Sequence, residues 1–222
     1  MKHVLCYGDS NTWGWDAETY DLKTGLVKRM PYEIRWPGVA QKLLGSEYRL
    51  LENAMNARTL MHEDPYNPRR LGIASLEEAV DANAPLDLII LALGVNELKH
   101  MFNLSAGMIA RGLEKLVIAA QQSYYGYPSP QVLVISPAPV RPDIEELLFG
   151  FNFGPLAYGK SLEFSKLYGD VAKRYGCEYL DGATLKLTLN DIDGLHYSRE
   201  DHAKLGKAAA EKIKNMLNSV DN

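Results

Sequence analysis

Cysteine is nearly absent from this chain: Cys6 and Cys177 are the two among 222 residues. So few thiols exclude a disulfide framework as the organising device, and both lie in or beside predicted strands, where they read as free buried thiols. A chain of this length buries a sizeable core without such staples. Long apolar runs are missing too, as is a charged start followed by an apolar leader, so neither a membrane span nor a signal peptide is expected. Lys and Arg (24) are outnumbered by Asp and Glu (28), the net charge is -4, and no basic block stands out. Nucleic-acid binding therefore has no electrostatic support. No His/Cys/Asp/Glu grouping has metal-ligand spacing, and Gly8 and Gly14 do not form a phosphate-cradling fingerprint. The expectations are a cytoplasmic protein with no metal, no cofactor, no nucleic-acid partner and no membrane.

What is present is ordinary for a globular chain, 46% hydrophobic and 23% charged. Apolar runs at His3 to Tyr7, Tyr48 to Leu51, Asp87 to Leu93, Gln131 to Ile135 and Cys177 to Leu180 predict five buried strands. Helical spacing separates them at Arg35 to Leu44, Leu71 to Asn83, Ser105 to about Ser123 and Leu156 to Tyr175, with a last helix from about Ser198 to Leu217. Trp13 to Glu33 and His62 to Arg70 read as loops, and Val140 to Gly154 as an apolar segment carrying Phe149, Phe151 and Phe153. No repeat or linker interrupts the pattern. Strands alternating with helices predict one α/β domain over residues 1–222, a flavodoxin-like three-layer sandwich with a five-stranded parallel sheet.

The first strand ends in Gly8-Asp9-Ser10-Asn11. Alone, those residues are turn formers. In an open parallel sheet, however, strand carboxyl ends share one edge, where ligands bind. Ser10 then meets Ala57, Asn96 and the turn Asp193-Gly194-Leu195-His196, each at a strand exit or on a late loop. A serine hydroxyl is a poor nucleophile until a base takes its proton. His196 can serve as that base, and Asp193, three residues earlier, can hold its other ring nitrogen. Asn96 offers an amide donor to an oxyanion, beside the backbone N–H groups of Ser10 and Ala57.

These blocks carry a resemblance. Gly8-Asp9-Ser10-Asn11-Thr12-Trp13-Gly14-Trp15, Asn56-Ala57-Arg58-Thr59, Gly94-Val95-Asn96-Glu97 and Asp193 to His196 stand in the order found in SGNH (GDSL-type) serine hydrolases. The chain is most similar to the bacterial arylesterase/acyltransferase branch, through Arg35-Trp36, Asp64-Pro65 and Pro85-Leu86-Asp87-Leu88 as well. The resemblance implies a serine esterase for short-chain, acetyl-type carboxylic esters. Its catalytic residues would be Ser10, Asp193 and His196, with an oxyanion hole of Ser10, Ala57 and Asn96. Acyl transfer to alcohols is a further implied activity, and assembly into a homo-oligomer is expected. Asp9, Asn11, Trp15, Val95 and Leu195 are expected to line the substrate pocket. Two positions depart from the family pattern: Ala57 replaces a glycine, and Glu97 replaces an aspartate.

Two alternatives stand beside this reading. A carbohydrate O-acetyl deacetylase keeps the chemistry and changes the alcohol. A non-catalytic flavodoxin-like module would hold a small anion or nucleotide at the same sheet edge, on helix N-termini. Asp191 rivals Asp193 as the partner of His196, though its spacing fits less well. His202 is expected to be solvated on the last helix, and His62 and His100 to be surface residues near the site.

Overall fold

The computed structural model describes residues 1–123 and 126–218. Five parallel strands, β1 (Lys2–Gly8), β2 (Tyr48–Ala54), β3 (Leu88–Ala92), β4 (Gln131–Ser136) and β5 (Glu178–Asp181), lie in the order β2-β1-β3-β4-β5. The order reverses between β1 and β3, the topological switch point at which open α/β sheets bind ligands. Among the described residues eight α-helices connect and flank the strands: α1 (Ser10–Trp13), α2 (Trp36–Leu44), α3 (Gly72–Asp81), α4 (Ala106–Ala120), α5 (Gly150–Phe153), α6 (Ala157–Leu162), α7 (Phe164–Arg174) and α8 (Arg199–Asn218). The described residues thus form the expected single α/β domain, a three-layer sandwich.

Strand side chains alternate between the two faces of the sheet, so each strand feeds two cores. Leu5, Tyr7, Ile89, Leu91, Val132 and Val134 pack with α3, α4 and α7. Val4, Cys6, Leu88, Ile90, Leu133 and Ile135 pack with α2 and α8. This double cover is why the strands read as continuous apolar runs rather than alternating ones. Among the described residues no helix is long and apolar enough to cross a membrane.

Two expectations need correction. The helix expected from Leu156 to Tyr175 is broken at Glu163 into α6 and α7. The apolar spacing continues through the break because both pieces are buried against something, but against different partners. α6 packs on the turn after β3, whereas α7 packs on β4, β5 and α4. His202 is not solvated: it is fully buried between α8 and α2, where its Nδ1 accepts the Trp36 N–H at 3.2 Å. Burial pushes its pKa down to about 4, keeping the ring neutral. Cys6 and Cys177 are both free, the first buried and the second half-buried.

Candidate active site

β1 stops because Gly8 and Asp9 turn the chain. A Cβ at residue 8 would sit 2.1 Å from Thr12 Oγ1, so only glycine fits there. Asp9 caps α1 by accepting the Asn11 N–H at 3.0 Å, and Ser10 becomes the first helical residue. The first N–H groups of a helix have no intrahelical acceptor, which leaves the Ser10 amide a donor at the sheet edge. After β3 the chain turns at Gly94, whose φ of 130° suits glycine and whose Cβ position is filled by the Tyr168 hydroxyl. The following turn, Val95–Leu98, presents Asn96, and Asn96 Nδ2 donates to the Arg58 carbonyl at 3.1 Å. The loop after β2 and the loop after β3 are thereby joined at the switch point.

The late turn completes the arrangement. His196 Nε2 lies 2.8 Å from Ser10 Oγ, and its Nδ1 lies 2.7 Å from Asp193 Oδ2. The other carboxylate oxygen, Asp193 Oδ1, accepts the backbone N–H groups of Leu195 (3.1 Å) and His196 (3.0 Å). Trp15 stacks on the His196 ring at 4.9 Å with 13° between planes, and Phe149 meets the ring edge-on at 6.4 Å. Ser10 and His196 are 4% and 5% exposed, so the hydroxyl and its partner sit at the floor of a cleft rather than on the surface. That cleft has a volume of about 170 Å³. Trp15, Phe149, Phe153 and Leu195 form its apolar lining, and Asn56, Asn67, Lys99 and Asn152 its polar lining. Ala57 and Asn96 reach it beside Ser10.

A serine, a histidine and a carboxylate in one hydrogen-bonded line, beside an amide side chain and a free helix N–H, match the requirements of acyl transfer. The model of the GDSL-like Lipase/Acylhydrolase family matches residues 6–204. The chain belongs to that family. It is a serine-type ester hydrolase. Est24, a carbohydrate acetylesterase from Sinorhizobium meliloti, is 35% identical, with 97% of this chain and 100% of that one covered and a TM-score of 0.89. The inhibitor-bound M. smegmatis aryl esterase is 31% identical over 97% and 100% of the two chains, with a TM-score of 0.88. A lipase/acylhydrolase from Enterococcus faecalis, 17% identical over 97% and 96%, shares the fold at a TM-score of 0.67. No curated protein matches the chain.

Within this GDSL hydrolase, not every residue expected at the pocket reaches it. Trp15 and Leu195 line the cleft; Asp9, Asn11 and Val95 do not. Val95 is packed into the core beneath the turn. Asp9 and Asn11 point behind Ser10, bordering a separate void of about 10 Å³ with Trp36 and Tyr197. Asn11 spans the site from the back: its Nδ2 donates to the Leu195 carbonyl at 3.1 Å and its Oδ1 accepts the Tyr197 N–H at 2.9 Å. The residue after Ser10 thus grips the chain on both sides of His196. Asp191 does not compete for His196; it is exposed and pairs with Arg141.

The carboxyl groups differ in charge state because their surroundings differ. Burial alone would raise the pKa of Asp193, but the charge and N–H groups of His196, with the Leu195 N–H, hold it down at about 2. Asp9 is pushed up to about 6 by burial, partly offset by the Asn11 N–H and by His196 and Arg58. Arg58 lies under the site, donating to the carbonyls of Gly8 (3.0 Å) and Asn53 (2.7 Å) with its guanidinium 4.0 Å from the Tyr7 ring centre. Glu97 is buried and accepts the Leu60 N–H. Burial raises its pKa to about 8. Glu97 thereby ties the turn after β3 to the segment that follows Ala57. Ala57 itself takes φ 59°, the left-handed conformation that a glycine would adopt without cost.

Sequence reasoning passed over Lys99 and Asn190. Lys99 Nζ donates to Asp64 Oδ2 at 2.6 Å, a buried pair at the cleft wall. Asp64 also takes the N–H groups of Tyr66 and Asn67. Asp64 and Lys99 lie on separate loops, so no local spacing joins them. Asn190 stands three residues before Asp193, and its residue type in a turn is the one local signal it offers.

Proposed function

We propose that this chain hydrolyses short-chain carboxylic esters, acetyl esters first, through an acyl-enzyme on Ser10. The observation that carries the reading is the line Ser10 Oγ to His196 Nε2 to His196 Nδ1 to Asp193 Oδ2, at 2.8 and 2.7 Å. His196 takes the Ser10 proton as Oγ attacks the ester carbonyl, and returns a proton to the departing alkoxide. Asp193 fixes the tautomer and orientation of the ring. The tetrahedral oxyanion is held by the Ser10 and Ala57 N–H groups and by Asn96 Nδ2. Water, or an alcohol, then attacks the acyl-enzyme by the same route in reverse. A cleft of about 170 Å³ is smaller than the roughly 300–1,000 Å³ of sites for drug-sized ligands, which supports a short acyl group.

The test is a fluorophosphonate probe located by peptide mass spectrometry, with p-nitrophenyl esters of increasing chain length. Label on Ser10 and a preference for acetate are expected. Ser10→Ala is expected to lower turnover by about 10⁴-fold or more, and undiminished turnover in that variant refutes the assignment.

A second reading, release of acetate from acetylated sugars, is supported by the polar lining Asn56, Asn67, Lys99 and Asn152 and by likeness to the S. meliloti carbohydrate acetylesterase. Faster acetate release from acetylated xylose than from phenyl acetate would establish it. The reading extends to a homo-oligomer acting in the cytoplasm. Exposed Phe151 and Leu156 near the site support assembly, and unpaired Cys6 and Cys177 suit a reducing compartment. Sedimentation equilibrium and cell fractionation test these two points.

A further inference from the structure

Asn190 makes four side-chain hydrogen bonds inside the turn that carries Asp193 and His196. Its Nδ2 donates to Asp193 Oδ1 at 2.7 Å and to the His196 carbonyl at 2.8 Å. Its Oδ1 accepts the N–H groups of Ile192 and Asp193, each at 2.9 Å. The backbone joins in: Asn190 N–H donates to the His196 carbonyl at 3.1 Å, and Gly194 N–H donates to the Asn190 carbonyl at 3.2 Å. One amide group therefore ties the start of the turn to both of its functional residues.

We propose that Asn190 is a positioning residue that sets the Asp193 carboxylate against His196 Nδ1. The inference rests on the acyl-transfer reading above. Asp193 is completely buried and has two oxygens to satisfy. Oδ2 faces His196, and Oδ1 is held by the Asn190 amide together with the Leu195 and His196 N–H groups. Three donors on Oδ1 leave Oδ2 one orientation, toward the imidazole. Asn11 holds the same turn from its other side through the Leu195 carbonyl and the Tyr197 N–H. The two asparagines have separate tasks: Asn11 sets the approach of the turn to Ser10, and Asn190 sets the internal geometry of the acid and the ring. The other titratable groups that interact with the ring are Asp9 and His202. Asp191 and Arg141 pair with one another at the turn's outer side.

Two variants separate positioning from folding. Asn190→Ala removes both halves of the amide. Asn190→Asp keeps the acceptor for the Ile192 and Asp193 N–H groups, and so the turn, but replaces the donor with a second carboxylate beside Asp193. Loss of alignment of this kind costs on the order of 10–100-fold in rate. Both variants are expected to lose that much kcat for p-nitrophenyl acetate with KM unchanged. Like charges raise one another's pKa, so Asn190→Asp is also expected to lose activity at a higher pH on the acid side than the parent. The downfield proton NMR resonance of His196 Nδ1–H reports the Asp193 contact directly, with or without an ester being turned over. It is expected to be sharp in the parent and broadened or lost in Asn190→Ala. A sharp resonance in both variants with kcat within twofold of the parent overturns the proposal. A sharp parent resonance without any ester hydrolysis would instead sink the acyl-transfer reading, while its loss in Asn190→Ala would still support the brace.

Discussion

Replacing Ala57 with glycine sets two opposing free-energy terms against each other at a position inside the reacting cleft. At φ 59° a Cβ crowds the following carbonyl, at a cost of about 1–2 kcal/mol relative to glycine. Glycine in turn frees the unfolded chain, costing about 0.4–1 kcal/mol. The difference favours Ala57→Gly by about 0–1.6 kcal/mol, centred near 0.8. For a chain of this size that corresponds to a rise in Tm of about 2–3 °C. The backbone N–H proposed to hold the oxyanion is retained, so kcat for p-nitrophenyl acetate should stay within about twofold. Valine tests the opposite direction, because a β-branched side chain at positive φ is a strong outlier; Ala57→Val should lower both Tm and kcat. Differential scanning calorimetry with steady-state kinetics decides the matter. A fall in Tm of several degrees for Ala57→Gly would refute the strain argument.

Two further predictions follow from the same turns. Asn96→Ala removes the proposed oxyanion donor and should lower kcat by about 10²–10³-fold with little change in KM for phenyl acetate; an equal loss of ground-state affinity would place Asn96 in substrate binding instead. Glu97→Gln keeps an acceptor for the Leu60 N–H but cannot ionise. In the parent, the Glu97 carboxyl is pushed up to about 8 from its ordinary 4.5, so its contribution to stability is complete below 4.5 and lost as pH rises through 8. The melting temperature of Glu97→Gln relative to the parent should therefore climb across that window and level off above it; a difference that does not vary with pH would contradict the assignment.

The residues that meet at the sheet edge were legible because the parallel topology does the assembling. Once β1 and β3 read as buried strands, Ser10 and Asn96 had to emerge on one side, and Asp193 and His196 had a spacing that makes chemical sense. The back of the site was not legible. Asp9 and Asn11 flank Ser10 in sequence, but α1 begins between them and turns both side chains away from the cleft. Asn190 acts through a turn whose shape only the folded chain defines. His202 could have been placed: with Leu205, Ala209, Ile213 and Met216 it falls on one stripe of α8, and that stripe is buried. The break at Glu163 left no mark, since α6 and α7 both present apolar residues at helical spacing.

Asn11 bonds to the chain on either side of His196, 184 to 186 residues away. The Ser10–His196 pair therefore joins two segments that lie far apart along the chain. A ribosome-bound chain that has made every strand still holds an inert serine until the segment through His196 has emerged and docked beside α1. Ester turnover in a refolding or translation mixture would accordingly count the molecules in which the segment carrying His196 has docked beside Ser10.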